Sequence, residues 1–360
     1  MTPELPVNVH RLEELLFMVL AQLVVIIVAA RLGGRLAVRC GQTRVVGEII
    51  VGLLLGPSLF GAVLPAASAA LFSPEVAPPI TVLSQIGLIL LMFQIGLEFD
   101  FSHLLARHNR HAVAKVSAVG LALPFVLGIG FAGVSHAVLA PTIDAQAYAL
   151  FIGTAFAITA LPILGRIMLE FQMTRSVLGV IAISSAAIND VVGWLLLAGV
   201  TMIAVADFDA GSFALRLLGL AGYVALSWVV LRPLLHSMIK RNAVSEQSLP
   251  LDVVGFVIAA MFLSAMATWK LGIFAIFGGF MLGVLLHDHA GFVAAWRRQI
   301  GGFVMVFFLP IFFTYTGLRT DIGALQGSLW AWCGLLIALA TFGKFYGCYV
   351  AARWAGLDPA

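Results

Sequence analysis

One acid stands among side chains that otherwise suit lipid. Asp190 lies in the run 182–194, where the other polar groups are Ser184, Ser185 and Asn189. An isolated Asp at the centre of a membrane helix costs about 2.5–3.5 kcal/mol on insertion scales, so a chain that carries one normally uses it to move or sense charge. The plainer alternative is an Asp that only hydrogen-bonds a neighbouring helix. A second chemical feature precedes it in the chain: Thr159 stands three residues before Pro162 within the apolar run 153–165. Pro162 removes a backbone donor and crowds the carbonyl of Ile158, which predicts an opened backbone near Thr159. Such backbone is tolerated at membrane depth where it lines a cavity or is buried in protein. Its freed carbonyls and the Thr159 hydroxyl are oxygen ligands for a small hard cation beside a carboxylate. An ordinary proline kink is the competing reading. A third feature is Lys344, well inside the last apolar run. It either reaches the interface near Arg353 or partners the Asn189-Asp190 pair.

These residues must be positioned by membrane helices. With 62% hydrophobic and 10% charged residues and a mean hydropathy of +1.08, a soluble domain of 360 residues is excluded and the chain is an all-α polytopic membrane protein. The first apolar run starts near Leu15, after an acidic leader with proline, and shows no basic n-region and no small-residue cleavage site, so a removable signal peptide is not expected. Cys40, Cys333 and Cys348 have no metal-ligand or CxxC spacing. A span needs about 20 apolar residues. Eleven candidates qualify, at 13–33, 44–62, 80–98, 112–138, 145–167, 175–205, 212–236, 251–268, 271–287, 301–318 and 329–352. Fifteen Lys and Arg fall on one alternating set of connections and four (Arg11, Arg216, Lys270, Arg319) on the other. The positive-inside rule then places the N-terminus outside and the C-terminus in the cytoplasm. The twentieth basic residue is Lys344.

The chain also repeats itself. Residues 94–104 align without gaps to 315–325, matching Gly96 to Gly317, Leu97 to Leu318, Asp100 to Asp321 and Leu104 to Leu325. Upstream, 52–56 aligns with 279–283 through Gly52/Gly279 and Gly56/Gly283. Spans 2 and 3 thus correspond to spans 9 and 10, and the charge count inserts the two copies upside down. Inverted-topology repeats mark secondary transporters with a site near the midplane. The expected organisation is a first repeat over 1–205 with spans 1–6, a linker helix and cytoplasmic loop over 206–250, and an incomplete second repeat over 251–360 with spans 8–11. Completing the symmetry would take 13 spans, so a truncated transporter is expected.

The ordered set of residues 46–49 with 52–57, 91–98, 159–162, 185–190, 272–283 and Gly343-Lys344 resembles the monovalent cation:proton antiporters of the second cation:proton antiporter group. That family includes NapA-type sodium/proton exchangers, the membrane domains of Kef potassium efflux systems and plant cation/proton exchangers. The resemblance covers essentially the whole chain. It implies a sodium/proton antiporter-like fold of core and scaffold helices, with dimerisation through the scaffold. It also implies that Asp190 carries cation and proton, with Asn189, Thr159 and Ser185 beside it, Pro162 at the crossing helix and Lys344 as the intramembrane lysine. Electrogenic members carry two adjacent aspartates. Here the first is Asn189, which ligates through its amide oxygen but does not titrate, so electroneutral exchange is expected and the partnership of Lys344 with a first aspartate is weakened. Kef-type members add a cytoplasmic nucleotide-binding domain, and no Gly-rich fingerprint supports one in this chain.

The expected function is exchange of Na+ or K+ for protons across the cytoplasmic membrane by alternating access, with no cofactor, no nucleic-acid partner, a lipid surround and a homodimer. A Kef-type potassium efflux pathway and an inactive remnant remain alternatives. An intramembrane hydrolase does not fit: an aspartyl protease needs two buried aspartates, and the histidines fall in loops or near span ends. The cluster His103, Arg107, His108, Arg110 and His111 reads as a pH sensor or as a basic lipid-facing loop. Glu48, one turn inside span 2, reads as a funnel lining or a structural group.

Overall fold

The computed structural model describes residues 9–73, 75–98, 107–204, 210–242, 244–246 and 248–357. His103, residues 99–104 of the repeat segment and the start of the acidic leader lie outside them. Among the described residues the regular structure is entirely helical. The first half contains α1 (Val9–Arg39), α2 (Arg44–Leu55), α3 (Pro65–Leu71), α4 (Ala77–Leu97), α5 (Arg107–Leu139), α6 (Ala145–Ala157), α7 (Leu161–Glu170) and α8 (Val177–Ala204). There follow α9 (Ala210–Leu226), α10 (Arg232–Arg241), α11 (Leu251–Lys270), α12 (Ile276–Leu286), α13 (Ala290–Trp296), α14 (Leu309–Leu318) and α15 (Leu329–Trp354). A chain this apolar has little choice, because a helix satisfies its backbone groups internally where water is absent.

Nine described helical stretches are long and apolar enough to cross a membrane, and a pair bent by 45°, Ala290–Gly301 with Val304–Leu318, makes a tenth. The bend falls at Gly301-Gly302, a pair that weakens a helix locally. The run 271–287 condenses to α12, whose 11 residues span about 16 Å, against about 30 Å of hydrocarbon. Hydropathy continues through Leu271–Ala275, but Gly272 at φ +80° turns the chain there. π-helical turns at Ser227–Leu231 and Val304–Phe308 lie just ahead of Pro233 and Pro310, where a missing N–H disturbs the regular ladder.

The helices divide into two compact units. One comprises residues up to Leu91 and Trp296–Gln326. Its core holds Val19, Leu23 and Ile26 of α1 against Val76, Ile80 and Ile311. Here α2 crosses α14 at Gly52 and Gly317, and a Cβ on Gly52 would lie 2.2 Å from the carbonyl oxygen of Thr314. Glu48 is buried and lines a cavity of about 180 Å³ with Arg31, Arg35 and Arg44, the last two exposed.

The other unit comprises Met92–Ala295 and Gly327–Ala360. In it α5, α6, α8 and α15 pack together, with α7 on α8 and α11 on α12. The end of α4 crosses α12 at Gly96 and Gly283, where a Cβ on Gly283 would lie 2.1 Å from the carbonyl oxygen of Phe93. The two crossings are alike, since extending the match of 94–104 to 315–325 by one residue pairs Phe93 with Thr314, but they pair Gly52 with Gly283 and not with Gly279, one helical turn off the alignment of 52–56 with 279–283. Each pairs an element of one copy with an element of the other, so the compact units do not coincide with the sequence copies 1–205 and 251–360. Replacing Gly283 by Ala drives a methyl into backbone. It is expected to destabilise the protein by about 1–3 kcal/mol, read as a lower unfolding midpoint in detergent, and an unchanged midpoint would contradict so close a crossing.

Candidate functional site

The site begins with a gap between two half-helices. The ladder of α6 ends with Ile158 N–H donating to Thr154 O at 3.1 Å, and Ile158 turns extended at φ −62°, ψ 137°. Thr159 and Ala160 follow without helical pairing. The next helix starts when Ala160 O accepts from Ile163 and Leu164, both at 3.1 Å. Pro162 stands in the first turn of α7, the place where its missing N–H costs nothing. The sequence therefore leaves a C-terminal and an N-terminal helix end facing each other inside the bundle.

Each end meets a charge of the complementary sign. Asp190, 3% exposed, projects from α8, and its Oδ2 accepts from the backbone N–H of Leu161 at 3.2 Å. A carboxylate at a helix N-terminus satisfies an orphan donor and meets the positive end of the macrodipole, worth up to about 2 kcal/mol when partly buried. At the other end, the Lys344 ammonium of α15 donates to Ala157 O, to Gly120 O at 3.0 Å and to Thr159 Oγ1 at 2.8 Å. Lys344 therefore does not reach for the interface. It spends its three donors on two oxygens of the break, Ala157 O and Thr159 Oγ1, and on Gly120 O of α5, none of them from Asp190.

Beside the acid, Asn189 is 4% exposed, and its Oδ1 has no hydrogen-bond partner among the described residues. An unmet buried acceptor costs about 1–3 kcal/mol, so its place next to a carboxylate is notable. Ser185 is buried one turn earlier, and its hydroxyl donates to Val113 O of α5 at 3.4 Å, so it holds α8 to α5. One turn beyond Asp190, Trp194 stacks on Phe274 with centroids 4.5 Å apart. Gly193 makes room for the opened strand: a Cβ there would lie 2.5 Å from Ile158 Cγ1.

Residues 20–359 match the family described as "Sodium/hydrogen exchanger, transmembrane". The chain belongs to that family. This exchanger-family chain is 38% identical over 346 residues to Na(+)/H(+) antiporter NhaS4 of Synechocystis sp., covering 95% of the chain and 83% of that protein. It is 34% identical over 344 residues to Cation/H(+) antiporter 17 of Arabidopsis thaliana, covering 93% of the chain and 41% of the relative. Its fold resembles the solved sodium proton antiporter MjNhaP1 of Methanocaldococcus jannaschii, with a TM-score of 0.62 at 17% identity, over 95% of this chain and 79% of that one. The exchanger-family chain thus has a sodium/proton antiporter-like, all-helical membrane fold, and its relatives are cation/proton antiporters, which are transporters and not enzymes.

The structure brings Asp190, Thr159 and Lys344 of the exchanger around one interruption, with Pro162 at its edge, and Asn189 follows Ser185 on α8 with its amide nitrogen toward Gly120 of α5. What sequence reading did not identify are the backbone partners, namely Ala157 O, Gly120 O and the N–H of Leu161. Backbone groups carry no residue signature. The proline alone pointed to them, and it told where the ladder fails but not which side chains repair it. Gly193 was equally silent among the 36 glycines of the chain. In the histidine-rich cluster, the described members Arg107, His108, Arg110 and His111 are exposed.

Proposed function

We propose that the chain exchanges a monovalent cation, Na+ or K+, for a proton at Asp190, one for one and therefore electroneutrally. The observation that supports this most is the buried carboxylate at the N-terminus of α7 beside the unpartnered oxygen of Asn189. A bare carboxylate is costly in a low-dielectric interior. A proton neutralises it by one route and a small cation by another, the cation gaining oxygens from Asp190, Asn189 and the opened backbone at Thr159. The two occupants exclude each other. A neutral site crosses the barrier between the two faces more readily than a charged one, which is enough for obligatory exchange under alternating access. Lys344 holds the break open and remains fully engaged with carbonyl and hydroxyl oxygens, so one titrating group is left for transport.

The test is proton movement in proteoliposomes on addition of Na+, K+ or Li+, with the membrane potential clamped at zero and then inside-negative. Cation-dependent dissipation of a pH gradient at a rate indifferent to voltage is expected. Cation flux without proton movement would make the chain a conducting pathway of the Kef kind, and a well-inserted chain that moves neither would end the proposal. The same reading places the N-terminus outside the cytoplasmic membrane, from the fifteen-against-four charge asymmetry. It also makes the exposed apolar face of α1, with Leu16, Leu20, Val24 and Val28, a homodimer contact. Impermeant thiol labelling of the exposed Cys40 and the mass of the solubilised particle read these two points.

A further inference from the structure

A second cluster of chemically capable side chains lies away from the Asp190 site. On α10, Arg232, His236 and Lys240 recur at four-residue spacing and share a face. This helix packs on α12, and the turn from α12 to α13 carries His287, Asp288 and His289. His236 Nε2 lies 2.9 Å from Leu285 O and 3.3 Å from Asp288 Oδ1. The rings of His236 and His289 meet edge to face with centroids 4.1 Å apart. The other oxygen of Asp288 accepts from Arg232 at 2.8 Å. His289 Nε2 is buried and has no hydrogen-bond partner among the described residues. One ligand atom from each of His236, Asp288 and His289 lies within 4.8 Å of the other two.

We propose that His236, Asp288 and His289 form a binding site for a divalent transition-metal ion of the zinc class, with the carbonyl of Leu285 beside the fourth position. Two imidazoles and a carboxylate are the nitrogen and oxygen set that such ions take, at about 2.0–2.2 Å per bond. Bonds of that length in a tetrahedron separate the ligand atoms by about 3.3 Å, the spacing already present between His236 and Asp288. The ring of His289 has only to close by a side-chain rotation. The proton of His236 Nε2, now facing both Leu285 O and Asp288 Oδ1, marks where the ion sits, and the ion replaces it, since metal binding releases ligand protons. Arg232 fixes the carboxylate from its far oxygen, as outer partners of metal ligands commonly do. Occupancy ties α10 to the end of α12, the helix that crosses α4 at Gly96.

The test uses the full chain without a histidine tag, stripped with chelator in detergent and titrated with Zn2+ by calorimetry. One ion per chain with a dissociation constant on the order of micromolar is expected, with a higher unfolding midpoint. His236→Ala and His289→Ala are each expected to weaken binding tenfold or more. His287→Ala leaves it intact, because that ring is turned onto Val284 O at 2.7 Å. X-ray absorption of the zinc-loaded wild-type chain provides a readout independent of whether any variant folds, and it is expected to show two imidazole nitrogens on the ion. No saturable binding, binding unchanged in His236→Ala and His289→Ala, or an ion without imidazole ligands would each overturn the site.

Discussion

Asp190→Asn is expected to abolish cation-dependent proton movement in proteoliposomes while leaving the folded protein in the membrane. An amide keeps the shape of the side chain, and its oxygen can still accept from Leu161 N–H, which the carboxylate does at 3.2 Å. It has no charge to be neutralised by a proton or by a cation, so the two occupants no longer compete. The variant loses the carboxylate's attraction to the α7 helix end, about 0.3–2 kcal/mol, and is released from burying a charge, a term of opposite sign and several kcal/mol at most after relaxation. The unfolding midpoint should accordingly stay near that of the parent or rise. Loss of transport by two orders of magnitude or more, about 2.7 kcal/mol or greater in barrier terms, with an intact midpoint is the expected pairing. Full exchange by Asp190→Asn would remove Asp190 from the mechanism, and collapse of the fold would make it a structural acid.

Lys344→Met should show the opposite balance, with its main effect on stability. The ammonium serves three oxygens from three places: Gly120 O on α5, Ala157 O at the end of α6 and Thr159 Oγ1 in the opened strand. Methionine fills a similar volume but donates nothing, and hydrogen bonds to a charged group contribute about 1.5–3 kcal/mol each. The removed cost of burying an ammonium offsets part of that loss. A net destabilisation of about 2–4 kcal/mol follows, because the regular donor to the carbonyl of Ala157, the N–H of Leu161, is turned to Asp190. Thermal unfolding in detergent checks it, and a midpoint equal to the parent's would mean that the break does not depend on Lys344. Together the two substitutions separate the group that titrates from the group that holds the gap open.

Much of this was legible in advance, for reasons specific to each element. The spans were legible because burial in lipid imposes long apolar runs, and ten of the eleven expected stretches recur as helices, or as one bent pair, of crossing length. The exception, 271–287, was obscured because hydropathy does not register a turn made of apolar residues around Gly272. The spaced glycines were legible, yet what they do was not. Gly52 and Gly317 meet in one crossing and Gly96 and Gly283 in the other, each pair separated by more than 180 positions in the chain.

The sequence by itself determined that the chain is a helical membrane protein, that a proline disturbs its backbone near Thr159, and that an acid and a lysine lie within apolar runs. These follow from composition, from the missing N–H of Pro162 and from the cost of burying charge, all of which are local. Only the tertiary structure decided which helix end each charge serves: Asp190 the N-terminus of α7, Lys344 the C-terminus of α6, and Asn189 with an oxygen left over. Those assignments depend on how α5, α6, α8 and α15 pack, and two charges attracted by opposite helix ends have no pattern of spacing along the chain that would distinguish their places.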